Sequence, residues 1–104
     1  MSSRIAFTAK IHPGERDRLR QMFESGPPFD PERSGFDHHA VFLGDEDVVF
    51  LFEGDDPLPA VRRLAAQPGL LGDVVRMAGI LSPPHMTREV YAWSRARAEA
   101  ATER

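Results

Sequence analysis

Residues 38–56 read HHAVFLGDEDVVFLFEGDD, and this stretch decides the fold. Two apolar runs, residues 40–43 and 48–52, flank the polar segment Gly44-Asp45-Glu46-Asp47. Runs of this length, rich in Val, Phe and Leu around a turn, read as a β-hairpin. A four-residue turn fixes the register. Leu43 then faces Val48, Val41 faces Phe50 and His39 faces Phe52. Side chains alternate along a strand. His39, Val41, Leu43, Val48, Phe50 and Phe52 therefore share one face. His38, Ala40, Phe42, Val49, Leu51 and Glu53 share the other. The adjacent histidines lie on opposite sides of the sheet and cannot hold one metal ion together.

Working outward, residues 4–11 alternate with period two, Ile5, Phe7, Ala9 and Ile11 on one side, and predict a first strand. Pro13 is placed to open a helix, with Glu15 and Asp17 near its positive end and Leu19, Met22 and Phe23 as its apolar stripe. Ser25-Gly26-Pro27-Pro28 ends it. Residues 26–34 form a proline-rich connection, which is read either as a lid or as a plain loop. The second strand is expected over residues 36–43 and the third over 48–53. After the third strand, Asp56 reads as a helix N-cap and Pro57 as the first helical residue. Leu58, Val61, Leu64 and Ala65 keep helical spacing, Gln67-Pro68-Gly69 interrupts it, and Leu70, Leu71, Val74, Val75, Met77 and Ala78 resume it. Ser82-Pro83-Pro84 stops the helix, and residues 86–93 predict a final strand. The order is β-α-β-β-α-β. The expected fold is α+β, a ferredoxin-like antiparallel four-stranded sheet with helices on one face. Residues 1–93 form the domain and residues 94–104 a flexible C-terminal tail.

The runs at 40–43 and 48–52 are apolar on both faces, and strands of that kind are buried on both sides. No other segment is free to cover the second face. A second copy of the chain, related by a two-fold axis, is the expected cover. The interface would be roughly 1,200 Å² or more. The alternative is a sheet of strong β-formers with one wet face.

The chain has 104 residues, 41% of them hydrophobic and 28% charged, which suits one folded domain with one modest core. The formal net charge of −3 gives no electrostatic case for nucleic acid. No apolar run approaches the roughly 20 residues that span a bilayer, and the start has no signal-peptide pattern, so no membrane partner and a cytoplasmic location are expected. The absence of cysteine removes disulfides, thiolate metal sites and cysteine nucleophiles. Twelve of the thirteen basic residues are Arg, which carries no functional reading.

Three stretches carry a resemblance: the hairpin itself, the broken helix RRLAAQPGLLGDV at residues 62–74, and the closing GILSPPHMTREVYAW at residues 79–93. Together they resemble the dimeric α+β barrel superfamily, and within it the small aromatic polyketide cyclases of the tetracenomycin type and the related SchA/CurD-like proteins. The resemblance implies a homodimer that binds a folded polyketide between sheet and helices and promotes aldol closure through a basic group, with no cofactor and no metal. The basic position at the start of the second strand falls on His39. The general-base histidine that such cyclases place in the third strand falls on Phe50, a departure, because a phenyl ring cannot move a proton. His39 is the candidate catalytic residue; the competing reading is a structural histidine near a strand end. Phe23, Phe29, Val41, Phe50, Phe52, Met77, Tyr91 and Trp93 are the candidate substrate-binding residues, read also as plain core. His12 and His85 flank strand ends, and the carboxylates around the hairpin are explained by turns and caps. Four functions stay open: a polyketide cyclase, a cofactor-independent monooxygenase on the same fold, a non-catalytic small-molecule-binding dimer, and haem or metal handling, which no ligand spacing among the four histidines supports.

Overall fold

In the computed structural model, which describes residues 2–26, 29–30 and 32–96, β1 (Ser3–Lys10) leads to α1 (Arg16–Glu24) and then to the hairpin of β2 (His38–Leu43) and β3 (Asp47–Gly54). α2 (Pro57–Ala65), a 3₁₀ turn (Pro68–Leu70) and α3 (Leu71–Ile80) follow, and β4 (His85–Met86) closes the sheet. The strand order is β2-β3-β1-β4, with every neighbouring pair antiparallel. This is the ferredoxin-like α+β arrangement expected from the sequence. Pro27, Pro28 and Pro31 of the lid-or-loop segment and residues 97–104 of the expected tail lie outside the described residues.

The hairpin register is the expected one: Leu43 pairs with Val48, Val41 with Phe50 and His39 with Phe52. The Gly44 amide donates to the Asp47 carbonyl at 2.8 Å, which closes the turn. β3 then pairs along its whole length with β1, from Ser3 opposite Gly54 to Lys10 opposite Asp47. Ile5, Phe7 and Ala9 are thereby set beside Phe52, Phe50 and Val48 on one face. The helices pack on that face. Leu19 of α1, Ala60 and Leu64 of α2, Leu70, and Ile80 of α3 join Ala9, Val48, Phe50 and Phe52 in a single core.

Three boundaries differ from expectation by more than one residue. Pro13 lies in a turn rather than in α1. Gly14 has φ +80°, and the Glu15 amide bonds back to the His12 carbonyl at 3.1 Å, so the helix starts at Arg16. β2 starts at His38, because Phe36 is turned into the core while the Asp37 amide already bonds the Glu53 carbonyl at 2.7 Å. The final strand is two residues long instead of spanning 86–93. With Phe7 opposite Met86, Val90 comes opposite Ser3, where β1 begins, so residues 91–93 have no strand left to pair with. Thr87 still bonds the Ala6 carbonyl through its amide (2.9 Å) and its hydroxyl (2.7 Å), and Arg4 pairs with Glu89 at 2.5 Å.

The helix break at Pro68 is as expected, a 3₁₀ turn that redirects α2 into α3. Pro57 opens α2 behind Asp56, whose side chain makes no capping bond; proline's fixed φ suffices there. Gly54 closes β3 under a steric limit. A Cβ at this position would lie 2.8 Å from the Gly35 carbonyl oxygen, a backbone atom that cannot swing aside. Gly54→Ala is expected to cost about 1–3 kcal/mol, the range for overpacking. A urea midpoint that falls with an unchanged slope checks it.

Among the described residues, no helix covers the opposite face of the sheet. Phe42, 57% exposed, is followed across the sheet by Val49 and Thr8, and the next row is Ala40, Leu51 and Ala6.

Candidate functional site

The hairpin delivers His39 to the helix-facing side of the sheet, opposite Phe52. The phase set at Gly44–Asp47 makes His39 and Phe52 a pair without direct ladder bonds, the kind whose side chains come closest. Their rings stack, with centroids 4.5 Å apart and planes 19° from parallel. Phe29 approaches the imidazole at 5.4 Å. The His39 Nδ1 lies 2.9 Å from the Leu51 carbonyl oxygen. A carbonyl only accepts, so Nδ1 must carry the proton. In the neutral ring the lone pair then belongs to Nε2, the atom left to take a proton from a ligand.

Burial among these rings lowers the His39 pKa below the ordinary 6.5 by desolvating the charged form. The Leu51 carbonyl opposes that shift, and the neighbouring His38 adds to it. The imidazole is therefore neutral at pH 7, with tautomer and orientation both set by the fold.

Between sheet and helices lies a cavity of about 490 Å³. His39, Phe50 and Phe52 form its floor, Phe23 and Phe29 one wall, and Val61, Leu64 and Ala65 of α2 with Met77 and Ala78 of α3 its roof. Leu81 to Pro84 form the rim. Phe23 meets Phe50 edge-on at 5.7 Å. Among the described residues, His39, Asp73 and Ser82 are the polar side chains in this lining. A concave apolar cavity with a few polar groups is the usual form of a small-molecule site.

The structure thus brings together His39, Phe23, Phe29, Phe50, Phe52 and Met77. Val41 borders a second hollow of about 370 Å³ instead, on the other side of His39 and Phe23. Tyr91 and Trp93 are not brought to the cavity. They are 80% and 58% exposed, in the segment that has run past the end of β1, and the Trp93 ring carries the Arg95 guanidinium 5.3 Å from its centroid. The sequence reading placed them in a strand that does not extend that far. It also passed over Asp73. The signal was present: Asp73 stands three residues after Leu70 and four before Met77, on the apolar stripe of its own helix.

His38 is exposed on the outer face, and the His12 Nδ1 lies 3.1 Å from the Gly79 carbonyl oxygen. Among the described residues, no group of three His, Asp or Glu side chains is placed to hold a metal ion. No described helix is long and apolar enough to cross a membrane.

No protein-family model matches the chain, and no curated protein matches it in sequence. Solved structures do match. Tetracenomycin F2 cyclase from Streptomyces glaucescens, a type II polyketide cyclase, superposes with a TM-score of 0.67 at 17% identity, over 88% of this chain and 97% of the other. The chain has the fold of that polyketide cyclase. A variant of SnoaB, a cofactor-independent oxygenase from Streptomyces nogalater, superposes with a TM-score of 0.60 at 17% identity, over 88% and 95% of the two chains. A putative antibiotic biosynthesis monooxygenase from Chloroflexus aurantiacus gives 0.55 at 18% identity, over 88% and 98%. The cyclase-like fold therefore serves proteins described as cyclases and as oxygenases, and identities this low carry the fold alone.

Proposed function

We propose that this chain binds a flat, hydrophobic polyketide in the cavity between sheet and helices and promotes aldol ring closure without a cofactor. The observation that carries the reading is His39: a neutral imidazole, held by the Leu51 carbonyl through Nδ1 and stacked on Phe52, in the lining of an aromatic slot. Nε2 takes a proton from a carbon flanked by two carbonyls. The resulting enolate carbon attacks a second carbonyl of the same chain, forming the ring bond. The alkoxide recovers the proton from the imidazolium, and loss of water then completes the aromatic ring. The atoms balance with no oxidant. The aromatic walls hold the substrate folded, which makes closure an intramolecular reaction between aligned groups.

A second reading, a binding protein without chemistry, is favoured by one residue. Phe50 occupies the third-strand position to which the resemblance assigns a general base, and it is packed against Phe23. Incubating the purified protein with a poly-β-ketone generated in situ separates the readings by product mass. Loss of water over many turnovers supports closure. A gain of oxygen assigns the fold's oxygenase chemistry instead, and an unchanged mass with stoichiometric binding leaves a binding protein.

We propose further that a second copy covers the outer sheet face. Phe42, Val49, Leu51, Ala40 and Ala6 form a continuous apolar patch across three strands there. Val90, 89% exposed, and Tyr91 add apolar surface beside the last strand. Phe42→Glu would place a charge in the centre of that interface. By light scattering the protein is expected at twice the 11.6 kDa of one chain, and Phe42→Glu at the mass of one chain. A monomeric parent protein would sink the dimer.

A further inference from the structure

We propose that Asp73 is the polar anchor of the cavity, accepting a hydrogen bond from a hydroxyl on the ligand's edge, and that Arg76 is its positioning residue. The inference rests on reading the cavity as an aromatic-ligand site and says which members of that class it selects: flat ring systems with a free phenol or enol.

The argument starts from the lining. His39 enters from the sheet, whereas Asp73 enters from α3, in the roof. Ser82 lies at the rim, where its amide is already tied to the Lys10 carbonyl at 2.9 Å. Asp73 is thus the charged acceptor in an otherwise apolar roof. Its side chain is 24% exposed, shielded enough for a hydrogen bond to count, while Arg76, 68% exposed, lies one turn on and donates to Oδ1. That pairing fixes the carboxylate and leaves Oδ2 for a ligand. The first turn of α3 also favours a negative charge.

A carboxylate acceptor discriminates by chemistry. A phenol or enol O–H gains a charge-assisted bond. A bare aromatic edge would desolvate the carboxylate without replacing its water. A ligand carboxylate or phosphate would be repelled. The two polar groups then divide the work: Asp73 sets which edge of the ligand faces the roof, and His39 Nε2 meets the reacting carbon from the floor.

The test compares 2-hydroxyfluorene with fluorene, two flat three-ring molecules that differ by one hydroxyl, by fluorescence titration at pH 7. The parent protein is expected to bind the hydroxylated compound about tenfold more tightly or better. Asp73→Ala is expected to reduce that ratio to about twofold or less, with fluorene binding held or tightened because the carboxylate no longer has to be desolvated. Asp73→Asn, nearly isosteric, keeps part of the ratio and guards against a folding defect in the alanine variant. Arg76→Gln lowers the ratio with fluorene binding intact, a change that a general loss of stability would not produce. An undiminished ratio in both Asp73 variants overturns the anchor and leaves the aromatic site standing. Failure of the parent protein to bind either compound overturns the aromatic site and the anchor with it.

Discussion

His39→Gln is expected to lower the rate of ring closure by about a hundred- to ten-thousandfold, the usual contribution of a positioned general base. Glutamine keeps a polar side chain of similar reach but has no basic lone pair. Substrate binding, measured separately, is expected to change by about threefold or less, because the aromatic walls are untouched. His38→Gln is the control. That side chain lies across the sheet, and its removal is expected to leave the rate within about twofold. Equal, small effects of both substitutions would remove the base role. The acid limb of the pH–rate profile carries a second signature. Desolvation lowers the His39 pKa below 6.5, so the basic form persists to lower pH than in a free imidazole. The midpoint of the acid limb is expected below pH 6.5. The same shift links to stability. The unfolded chain binds this proton more readily than the folded one, so the His39 contribution to stability is present above pH 6.5 and declines as pH falls through the lowered value.

Phe52→Ala is expected to cost about 3–5 kcal/mol, as large aromatic truncations in cores do. Phe52 sits in the central strand between β1 and β2. It meets Phe7 edge-on at 6.1 Å, Phe36 at 5.0 Å and the His39 ring at 4.5 Å. Its loss opens the core and frees the imidazole from its stack at once. Against a total stability on the order of 5–15 kcal/mol, this is a third or more for a weakly stable domain. Phe52→Leu fills most of the space and is expected to be milder, yet it also removes the aromatic stack. Chemical denaturation measures the stability of both variants. If Phe52→Ala were as stable as the parent, the packing described for this face would be wrong.

The hairpin was legible because its register follows from a turn of four residues and strict alternation, and those two rules also placed His39 beside Phe52 and Phe50. The broken helix was legible from Pro68. Where the sequence reading went astray, the missing information was tertiary. Residues 86–93 have strand-like composition, but β1 begins only at Ser3, which leaves residues 91–93 no strand to pair with. That limit moved Tyr91 and Trp93 from an expected pocket wall to an exposed segment. Val41 alternates onto the helix-facing side as expected, yet β2 is an edge strand, and α2, part of the cavity's roof, lies over β1 and β3. Asp73 was passed over for a different reason. A carboxylate near a helix start reads first as a capping or dipole residue, and only the packing of α3 over the sheet shows that it also lines the cavity.

The central claim is that the slot beneath α2 and α3 takes a flat aromatic molecule against His39. Methyl NMR of the protein with labelled methionines tests it most directly, during titration with 2-hydroxyfluorene. Met77 lines the slot, whereas Met86, 59% exposed, lies outside it at the last strand. The expected result is a saturable ring-current shift of the Met77 methyl, with the His39 Nε2 resonance shifting in parallel and Met86 unmoved. Shifts at Met86 with Met77 and His39 silent would place the ligand outside the cavity and contradict the account.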